Sequence, residues 1–215
     1  MRLAIENVRI IDPSQNLDKI SNLYITRGRI FSISDTLPDG FNASQTLDGT
    51  GKWLLRGLID LQARLADPGS HYEGDIASET KAAVAGGITA ICCPPDTRPV
   101  NDNQAVTELI QRRARQAATA FILPIGAITQ NLEGKMLSNM AALKNAGCIA
   151  LSQANQPIQN PLTLKNAMQY AASNDILLML RCEDAALKNK GVAHSGVISS
   201  RLGLAEITAS AETVA

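Results

Sequence analysis

From residue 54 onwards, short apolar segments alternate with segments of helical spacing, and this alternation constrains the fold more than any other feature. Five apolar segments, each of strand length, cover residues 54–65, 88–93, 120–128, 148–152 and 176–180. Four segments of helical spacing lie between them, at residues 75–85, 103–118, 136–146 and 161–172. Continuous apolar strands that alternate with helices are typical of a parallel sheet buried on both faces. The pattern predicts an α/β fold, a (β/α)8 TIM barrel of which about the first five βα units are present.

The first 53 residues follow a different pattern, rich in strand-like segments and turns. Residues 22–26 and 29–34 flank Arg27-Gly28, a dipeptide that favours a hairpin turn. We therefore predict a small β-rich, β-sandwich-like module over residues 1–53 and the N-terminal part of a barrel over residues 54–215.

The number of strands is too small for a closed barrel, which needs about 250 residues. Residues 207–215 have the pattern of a further helix. An arc of five strands would leave two parallel edges open, and open edges promote aggregation. We expect either that this sequence is the N-terminal part of a longer protein or that another chain covers the edges.

Composition excludes several classes of function. Twenty Lys and Arg residues balance twenty Asp and Glu residues, and only 3% of the residues are aromatic. The chain therefore lacks both the positive charge and the stacking surfaces that nucleic-acid binding uses. No apolar run approaches the ~18 residues of a membrane span, and no apolar signal segment follows Met1. We expect a cytoplasmic protein that contacts neither nucleic acid nor membrane.

The cysteines and histidines give weak functional signals. All four cysteines lie in apolar segments and are predicted to be reduced thiols in buried strands: Cys92, Cys93, Cys148 and Cys182. Adjacent cysteines of a strand point to opposite faces and cannot share one metal ion. His71 and His194, the only histidines, lie in predicted loops with no second histidine at i+2 or i+4. We interpret both as surface residues.

The first predicted barrel strand ends with Gln62 and Arg64. Side chains two residues apart on a strand point the same way, so both are expected to face the barrel mouth. A glutamine amide is a poor zinc ligand, and a guanidinium has no lone pair to donate and repels a dication. These residue types argue against a metal centre at this strand end.

An ordered set of motifs resembles the dihydroorotase and allantoinase branch of the amidohydrolases and spans nearly the whole chain. The set consists of Gly57-Leu58-Ile59-Asp60, Asp67-Pro68-Gly69, Ala85-Gly86-Gly87-Ile88-Thr89, Pro95-Asp96-Thr97-Arg98-Pro99-Val100, Arg181-Cys182-Glu183-Asp184 and Ser199-Ser200-Arg201-Leu202-Gly203-Leu204. The resemblance implies a barrel that holds metal through His-x-His on strand one, a carboxylate at strand four and a histidine at strand five. It also implies an arginine and an asparagine that bind substrate.

At the matching positions this chain carries other residues. The four metal positions correspond to Gln62, Arg64, Gln153 and Arg181, and the two substrate positions to Ala66 and Asp96. The resemblance thus implies that the family zinc is absent and that no catalytic residue survives at these positions. A metal can lower the pKa of bound water from about 15.7 to about 7, worth on the order of 12 kcal/mol in nucleophile availability. Its loss would remove most of the family's hydrolytic power.

Four carboxylates remain near these positions: Asp60, Asp96, Glu183 and Asp184. One of them could act as a general base. We favour the simpler interpretation that they are counterions for Arg64 and Arg181.

The resemblance extends to inactive dihydroorotase-like chains that assemble with aspartate transcarbamoylase in pyrimidine synthesis. It implies a pseudoenzyme that serves as a structural partner of the aspartate transcarbamoylase catalytic chain and forms a homo-oligomer. Two alternatives remain open. The chain could belong to a working hydrolase of cyclic amides, or Arg64 and Arg181 could converge on an anion in a sensing pocket.

Overall fold

The computed structural model describes residues 1–69 and 74–214. Contacts divide the chain into two compact units, Met1–Gly57 and Leu58–Ala215. The division predicted from sequence, after residue 53, falls four residues earlier than the division by contacts.

The first unit contains one five-stranded sheet and so provides the predicted β-rich module. Its strands are β1 (Arg2–Asp12), β2 (Leu17–Thr26), β3 (Arg29–Ser34), β4 (Gln45–Asp48) and β5 (Trp53–Leu54). The order is β3-β2-β1-β4, and β5 also pairs with β1, beyond the end of β4. β1, β2 and β3 are antiparallel, whereas β4 and β5 run parallel to β1.

The predicted hairpin at Arg27-Gly28 is confirmed. Thr26 pairs with Arg29, so Arg27 and Gly28 form the whole loop between β2 and β3. Arg27 and Gly28 have φ angles of 50° and 73°. Positive φ at both central residues is the requirement of a type I′ turn, whose twist matches that of the two strands.

The second unit contains five parallel strands in the order β10-β9-β8-β7-β6, the curled half of a barrel that the alternation predicts. The strands are β6 (Leu58–Asp60), β7 (Ile88–Cys93), β8 (Phe121–Ala127), β9 (Ala150–Ser152) and β10 (Leu178–Met179). The connecting helices are α1 (Ile76–Ala85), α2 (Gln104–Ala117), α3 (Met140–Asn145) and α4 (Pro161–Ser173). After β10 follow α5 (Ala185–Lys188), β11 (Ala193–His194), α6 (Val197–Leu202), β12 (Glu206–Ile207) and α7 (Ser210–Thr213).

Asx side chains start most of these helices. A side-chain oxygen of the preceding Asp or Asn accepts a hydrogen bond from a first-turn backbone N–H of α1 to α5 in each case. The capping residues are Asp75, Asn103, Asn139, Asn160 and Asp184. Such caps satisfy backbone donors that have no partner inside the helix, each worth about 1 kcal/mol. These local signals explain why α1, α2 and α4 begin within one residue of their predicted starts.

The prediction of one long first barrel strand over residues 54–65 is wrong. Leu54 pairs with Ile10 in the first sheet, and β6 contains only three residues. After β6, the carboxylate of Asp60 accepts a hydrogen bond from the backbone N–H of Gln62 at 2.9 Å. The apolar run therefore serves two different sheets, and regular strand geometry ends before Gln62.

Two further boundaries differ from the prediction. α3 begins at Met140 rather than at residue 136, because Leu137 bridges to Thr129 and the hydroxyl of buried Ser138 donates to the carbonyl of Ala127. Ile207 was predicted to begin a helix, but it pairs with His194 in a parallel two-stranded sheet. Hydrogen bonds to distant residues decide both cases, and a local pattern does not contain them.

The apolar residues of the second unit form separate clusters on the two faces of its sheet. Cys92 lies with Ile125 and Ala150, whereas the neighbouring Cys93 lies with Val106 and Ile110 of α2. The prediction that the two thiols point to opposite faces is therefore confirmed. Burial raises the pKa of Cys93 to about 12, so this thiol stays protonated and acts as a core residue.

Cys182 departs from the prediction for the cysteines. Cys92, Cys93 and Cys148 are buried, but Cys182 is exposed and lies after β10, outside any strand. β10 has two residues, so the apolar segment at 176–180 ends its strand before the thiol is reached. Among the described residues all four cysteines are free thiols.

Both edges of the parallel sheet are open in the part of the chain that the structure describes. β6 and β10 each pair with a strand on one side only. Several large apolar side chains at or beside these strands are more than 40% exposed: Leu58, Ile59, Leu61, Leu177 and Leu180. An open edge with apolar flanks is a surface on which another strand can pair.

No helix among the described residues has both the length and the apolar character of a membrane span.

A carboxylate holds the segment that follows α5 in place. Glu206 of β12 accepts hydrogen bonds from the hydroxyls of Ser195, Ser199 and Ser200 at 2.7–2.8 Å. Hydrogen bonds, first of all from Ser195, lower the pKa of Glu206 to about 2. The ionised carboxylate therefore links β12 to α6 and to the loop before it.

Acid is expected to loosen this segment. The folded-state pKa of Glu206 lies below its unfolded value of 4.5, so the stabilisation is complete above pH 4.5 and disappears as the pH falls towards 2. The protection of residues 193–207 from hydrogen exchange, measured relative to an unstructured chain at the same pH, should therefore fall over this range in the unchanged protein. Glu206→Gln should exchange faster at neutral pH and should respond less to acid. A Gln variant with unchanged exchange at neutral pH would contradict the assignment.

Candidate functional site

The carboxyl ends of the parallel strands gather the six positions singled out from the sequence. In parallel barrels this end carries the loops that bind and react. The residues that follow β6 are Gln62, Arg64 and Ala66; Asp96 follows β7, Gln153 follows β9 and Arg181 follows β10. Each of the six can therefore be placed by its neighbours.

Gln62 faces the loop that follows β9. Its Nε2 atom donates to Oδ1 of Asn155 at 3.4 Å, a long hydrogen bond. The same cavity is lined by Arg181 and Ser152, and its volume is about 370 Å³. Gln62 and Arg181, from the first and the last strand of the sheet, thus meet at one pocket.

Arg64 lies in a different cavity. Its Nε atom donates to Oδ2 of Asp96 at 2.7 Å, and the two side chains are 51% and 25% exposed. Ala66 lines the same cavity, of about 380 Å³. The second carboxylate oxygen of Asp96 is buried and has no hydrogen-bond partner among the described residues. The guanidinium is thus engaged by a carboxylate within its own pocket.

Gln153 is 2% exposed and is held by hydrogen bonds. Its Nε2 atom donates to Oγ1 of Thr129 at 2.8 Å, and the same hydroxyl oxygen accepts from the backbone N–H of Gly134 at 2.9 Å. The amide therefore links the loops that follow β8 and β9. An ionised carboxylate at this position could not donate this hydrogen bond to the threonine, because it only accepts hydrogen bonds.

Arg181 belongs to a cluster of charges around one buried carboxylate. Its Nη2 atom lies 2.6 Å from Oε2 of Glu183, and Nζ of Lys188 lies 2.5 Å from Oε1. Glu183 is 6% exposed. The hydrogen bond from Lys188 and the charge of Arg181 lower its pKa, which keeps the carboxylate ionised. Both cations thereby offset the cost of burying this charge.

Two of the four remaining carboxylates act as counterions, as predicted. Asp96 binds Arg64, and Glu183 binds Arg181. Asp60 instead accepts from the backbone of Gln62, and Asp184 caps α5. All four therefore have a structural use.

Two contacts remote from the strand ends position the loops that carry the site. Arg113 of α2 forms an ion pair with buried Asp67 in the loop after β6. In the loop after β7, Asn101 is fully buried. Its Nδ2 atom donates to the carbonyl of Ile125 at 2.9 Å, and its Oδ1 atom accepts from the hydroxyl of Thr107 at 2.7 Å. These contacts fix the loops of Arg64 and Asp96 against the helix layer and β8.

Gln62 and Arg64 line two cavities that share Pro94 in their lining. The chain leaves strand geometry after Asp60, so the two-residue alternation does not apply here, and the expectation that both side chains face the barrel mouth stays a prediction. Arg64 and Arg181 likewise do not share a cavity, and each is paired with a carboxylate. The structure brings together Gln62 with Arg181, Gln153 with Arg181, and Arg64 with Ala66 and Asp96.

The residues at the four metal positions do not fit a zinc centre. Zinc sites in proteins use thiolate, imidazole and carboxylate groups, whereas these four positions carry two amides and two guanidiniums. Within residues 1–69 and 74–214 no group of three His, Cys, Asp or Glu side chains is arranged to hold a metal ion. The amide and guanidinium groups at these positions are therefore unsuitable donors for zinc.

Several residues that complete this region escaped the sequence analysis. Asn155 and Thr129, the partners of the two glutamines, lie in loops that follow parallel strands, and this position is a usable signal. Arg113 gives no such signal, since it lies on a charged helix face like its neighbours. His194 is exposed, with Nε2 3.7 Å from a carboxylate oxygen of Glu212, whereas His71 lies outside the described residues.

Comparison with known proteins identifies the family of the chain. The family described as Dihydro-orotase-like matches residues 51–215, about three quarters of the chain. The chain belongs to the dihydroorotase-like family. Among curated relatives, a dihydroorotase-like protein of Pseudomonas putida is 46% identical over the whole chain, and one of Pseudomonas aeruginosa is 44% identical. A dihydroorotase of Geobacter metallireducens is 39% identical. The chain spans about half the length of each of these relatives.

Solved structures support the fold of this dihydroorotase-like chain. An L-hydantoinase from Arthrobacter aurescens superposes with a TM-score of 0.73 and 18% identity, over 87% of this chain and 42% of that protein. A D-hydantoinase gives a TM-score of 0.70 at 21% identity, over 88% of this chain and 42% of that protein. At these identities the likeness shows the fold alone.

Proposed function

We propose that this chain is part of a catalytically inactive dihydroorotase homologue. Its role is that of a structural subunit for aspartate transcarbamoylase in de novo pyrimidine biosynthesis. One observation carries the proposal: the strand ends that would hold metal in this family present Gln62, Arg64, Gln153 and Arg181. All four engage protein neighbours.

The contacts of these side chains support the loss of hydrolysis. Arg64 is bound by Asp96 and Arg181 by Glu183. A guanidinium stays protonated and has no lone pair to donate, so neither arginine can act as the base that generates hydroxide. Gln153 is buried against Thr129. Without a metal, the chain lacks a source of hydroxide at neutral pH, which costs on the order of 12 kcal/mol.

The intact scaffold supports a structural role. The parallel sheet, its capped helices and the positioning contacts at Asn101 and Asp67 are all retained. A rigid barrel fold can serve as a binding platform when its active site has gone, because fold and chemistry are separable. The aspartate transcarbamoylase partnership rests on the resemblance of the motifs, and its test is direct.

Metal content and turnover test the loss of chemistry. We expect elemental analysis of the purified full-length protein to find well below one zinc per chain, and dihydroorotate hydrolysis to stay at the uncatalysed rate. An active zinc dihydroorotase is the positive control. The double variant Gln62→His, Arg64→His tests the remaining positions, and we expect no turnover, since Gln153 and Arg181 still supply no ligand. Stoichiometric zinc with turnover in the unchanged protein would refute the proposal.

Assembly is tested separately by sedimentation velocity. The full-length protein is mixed with the aspartate transcarbamoylase catalytic chain of the same organism at micromolar concentrations. We expect a complex heavier than either component, and higher thermal stability of the transferase in the mixture. Independent sedimentation of the two proteins would reject the partnership and leave the loss of hydrolysis untouched.

A second candidate is a working hydrolase of cyclic amides. The observation in its favour is that a 39% identical relative, from Geobacter metallireducens, is named dihydroorotase. The turnover measurement decides between the two candidates, because a working hydrolase must exceed the uncatalysed rate.

An anion-sensing pocket is the third candidate, and the geometry favours it least. Its two arginines lie in separate cavities and are each paired with a carboxylate. Isothermal titration with small carboxylates and phosphate is expected to give no heat of binding.

A further inference from the structure

Three arginines lie at one end of the first unit's sheet. Arg2 of β1 pairs with Thr26 of β2, and Thr26 pairs in turn with Arg29 of β3. Arg27 lies in the turn between β2 and β3. Residues that pair across neighbouring strands point to the same face. Because neighbouring strands lie about 4.8 Å apart, the Cα atoms of Arg2 and Arg29 are roughly 10 Å apart, with both side chains on one face.

Two aromatic rings lie on the same face as Arg2. The guanidinium carbon of Arg2 is 5.9 Å from the centre of the Phe41 ring, and its Nη1 atom donates to the carbonyl of Gly40 at 3.4 Å. The Phe41 ring is buried, and the Phe31 ring stacks on it with the ring centres 5.6 Å apart. Phe31 itself is 54% exposed, so an open aromatic ring lies on the face that carries the arginines. We call Arg2, Arg27, Arg29 and Phe31 the Arg29 surface.

The positive charge of the Arg29 surface is not neutralised within the part of the chain that the structure describes. All three arginines are exposed, and none of them forms an ion pair there. Asp39, two residues before Phe41, is exposed and does not pair with them either. A guanidinium presents a planar fork of N–H groups that fits the oxygens of a phosphate. The surface is therefore suited to a phosphorylated ligand.

We propose that the Arg29 surface binds a nucleoside diphosphate. The phosphate oxygens accept hydrogen bonds from Arg2 and Arg29, and the two side chains can each engage one phosphoryl group across the gap of roughly 10 Å. The base stacks on the open ring of Phe31. Such stacking is available to every base, because each base has a flat π-face.

A single nucleotide also agrees with the composition of the chain. A nucleic-acid strand needs several stacking rings and a long run of positive charge. The Arg29 surface offers one open ring and three arginines, which is enough for one nucleotide only. The proposal concerns residues 2–41 and is independent of the loss of hydrolysis.

Isothermal titration of the full-length protein with adenosine diphosphate tests the proposal. We expect saturable binding at concentrations up to about 1 mM, since a few favourable contacts suffice for a Kd in that range. Pyrophosphate and adenosine, which each offer one class of contact, should bind at least about tenfold more weakly. Added salt should weaken binding of the nucleotide, because it screens the phosphate contacts.

Three results of these titrations would overturn the proposal. The first is the absence of saturable binding of adenosine diphosphate. The second is pyrophosphate binding as tightly as the nucleotide, which would show that no base stacks. The third is a hexaglutamate peptide binding as tightly as the nucleotide, which would show a surface for anions in general.

Charge substitutions locate the phosphate contacts. Arg29→Gln is expected to raise the Kd for adenosine diphosphate at least about fivefold, the effect of losing one charge-assisted contact. Lys19→Gln is the matched control, because Lys19 is an exposed cation that pairs with Ile10 at the other end of β2. It should leave the Kd unchanged. An equal loss in both variants would indicate general attraction by the positive charge of the protein and would reject a defined site.

Ring substitutions test the stacking contact. Phe31→Leu keeps an apolar side chain on Phe41 and removes the ring, so the Kd for adenosine diphosphate should rise at least about fivefold. Phe31→Trp should retain the affinity, since indole also stacks, and it keeps the test decisive if the leucine variant does not fold. Phe121→Leu is the matched control, because Phe121 is 75% exposed in the second unit. Unchanged nucleotide binding by folded Phe31→Leu would refute the proposed site.

Discussion

Replacement of Arg113 by methionine is expected to lower the free energy of unfolding by about 3 kcal/mol. Arg113 pairs with Asp67, a carboxylate whose side chain is only 6% exposed. Removal of one partner of a buried ion pair costs about 3–5 kcal/mol, because the remaining buried charge loses an attraction that offsets its desolvation. Arg113 is 30% exposed, which places the effect at the lower end of that range. Urea unfolding followed by circular dichroism measures the loss.

The design includes two comparisons. Arg112→Met removes a neighbouring exposed arginine of α2, and it should change stability by less than about 0.5 kcal/mol. The double variant Asp67→Asn, Arg113→Met removes both charges, and it should recover part of the loss. A single Arg113→Met variant as stable as Arg112→Met would show that the pair has no stabilising role.

Replacement of Asn101 by alanine is expected to cost about 3–4 kcal/mol. The side chain is fully buried, and its amide satisfies both the carbonyl of Ile125 and the hydroxyl of Thr107. Alanine would remove the hydrogen bonds of Asn101 to the carbonyl of Ile125 and from the hydroxyl of Thr107, and it would open a small cavity. Unsatisfied buried groups cost about 1–3 kcal/mol each. Thermal and urea unfolding give the magnitude.

Thr107→Val supplies the graded control for Asn101. Valine keeps the shape of threonine and removes only the hydroxyl that donates to Asn101 at 2.7 Å. We expect a loss of about 1–2 kcal/mol, clearly smaller than that of Asn101→Ala. If both substitutions cost the same, the hydrogen bond to Ile125 contributes nothing, and the network has been misassigned.

The Arg113–Asp67 pair and the hydrogen bonds of Asn101 hold the loops at the carboxyl ends of β6 and β7. Asp67 lies three residues after Arg64, and Asn101 lies five residues after Asp96. Because these contacts hold the loops, their loss should also disorder the Arg64–Asp96 contact.

Much of the fold follows from local sequence. The five apolar segments became five parallel strands in chain order, and β7 lies at residues 88–93 as predicted. Side-chain caps such as Asp75 and Asn103 lie next to the helices that they start, so their signals are local. The Arg27-Gly28 turn is likewise determined by two residues whose φ angles are both positive.

The errors occur where distant partners decide. Residues 53–54 pair with β1 rather than continuing into the barrel strand, since Leu54 meets Ile10. Ile207 joins β11 through pairing with His194. The identity of an apolar residue does not specify which sheet it will join. A local pattern therefore cannot predict the pairing of Leu54 with Ile10 or of Ile207 with His194.

The sequence alone determined which chemical groups lie at the strand ends. The order of the motifs assigns these positions to Gln62, Arg64, Gln153 and Arg181, whichever contacts their side chains form. Only the tertiary structure decided what those groups contact: Asn155, Asp96, Thr129 and Glu183. The physical reason is that side-chain identity sets which bonds a group can form. Which bonds it does form depends on where loops from other strands bring a partner within about 3 Å.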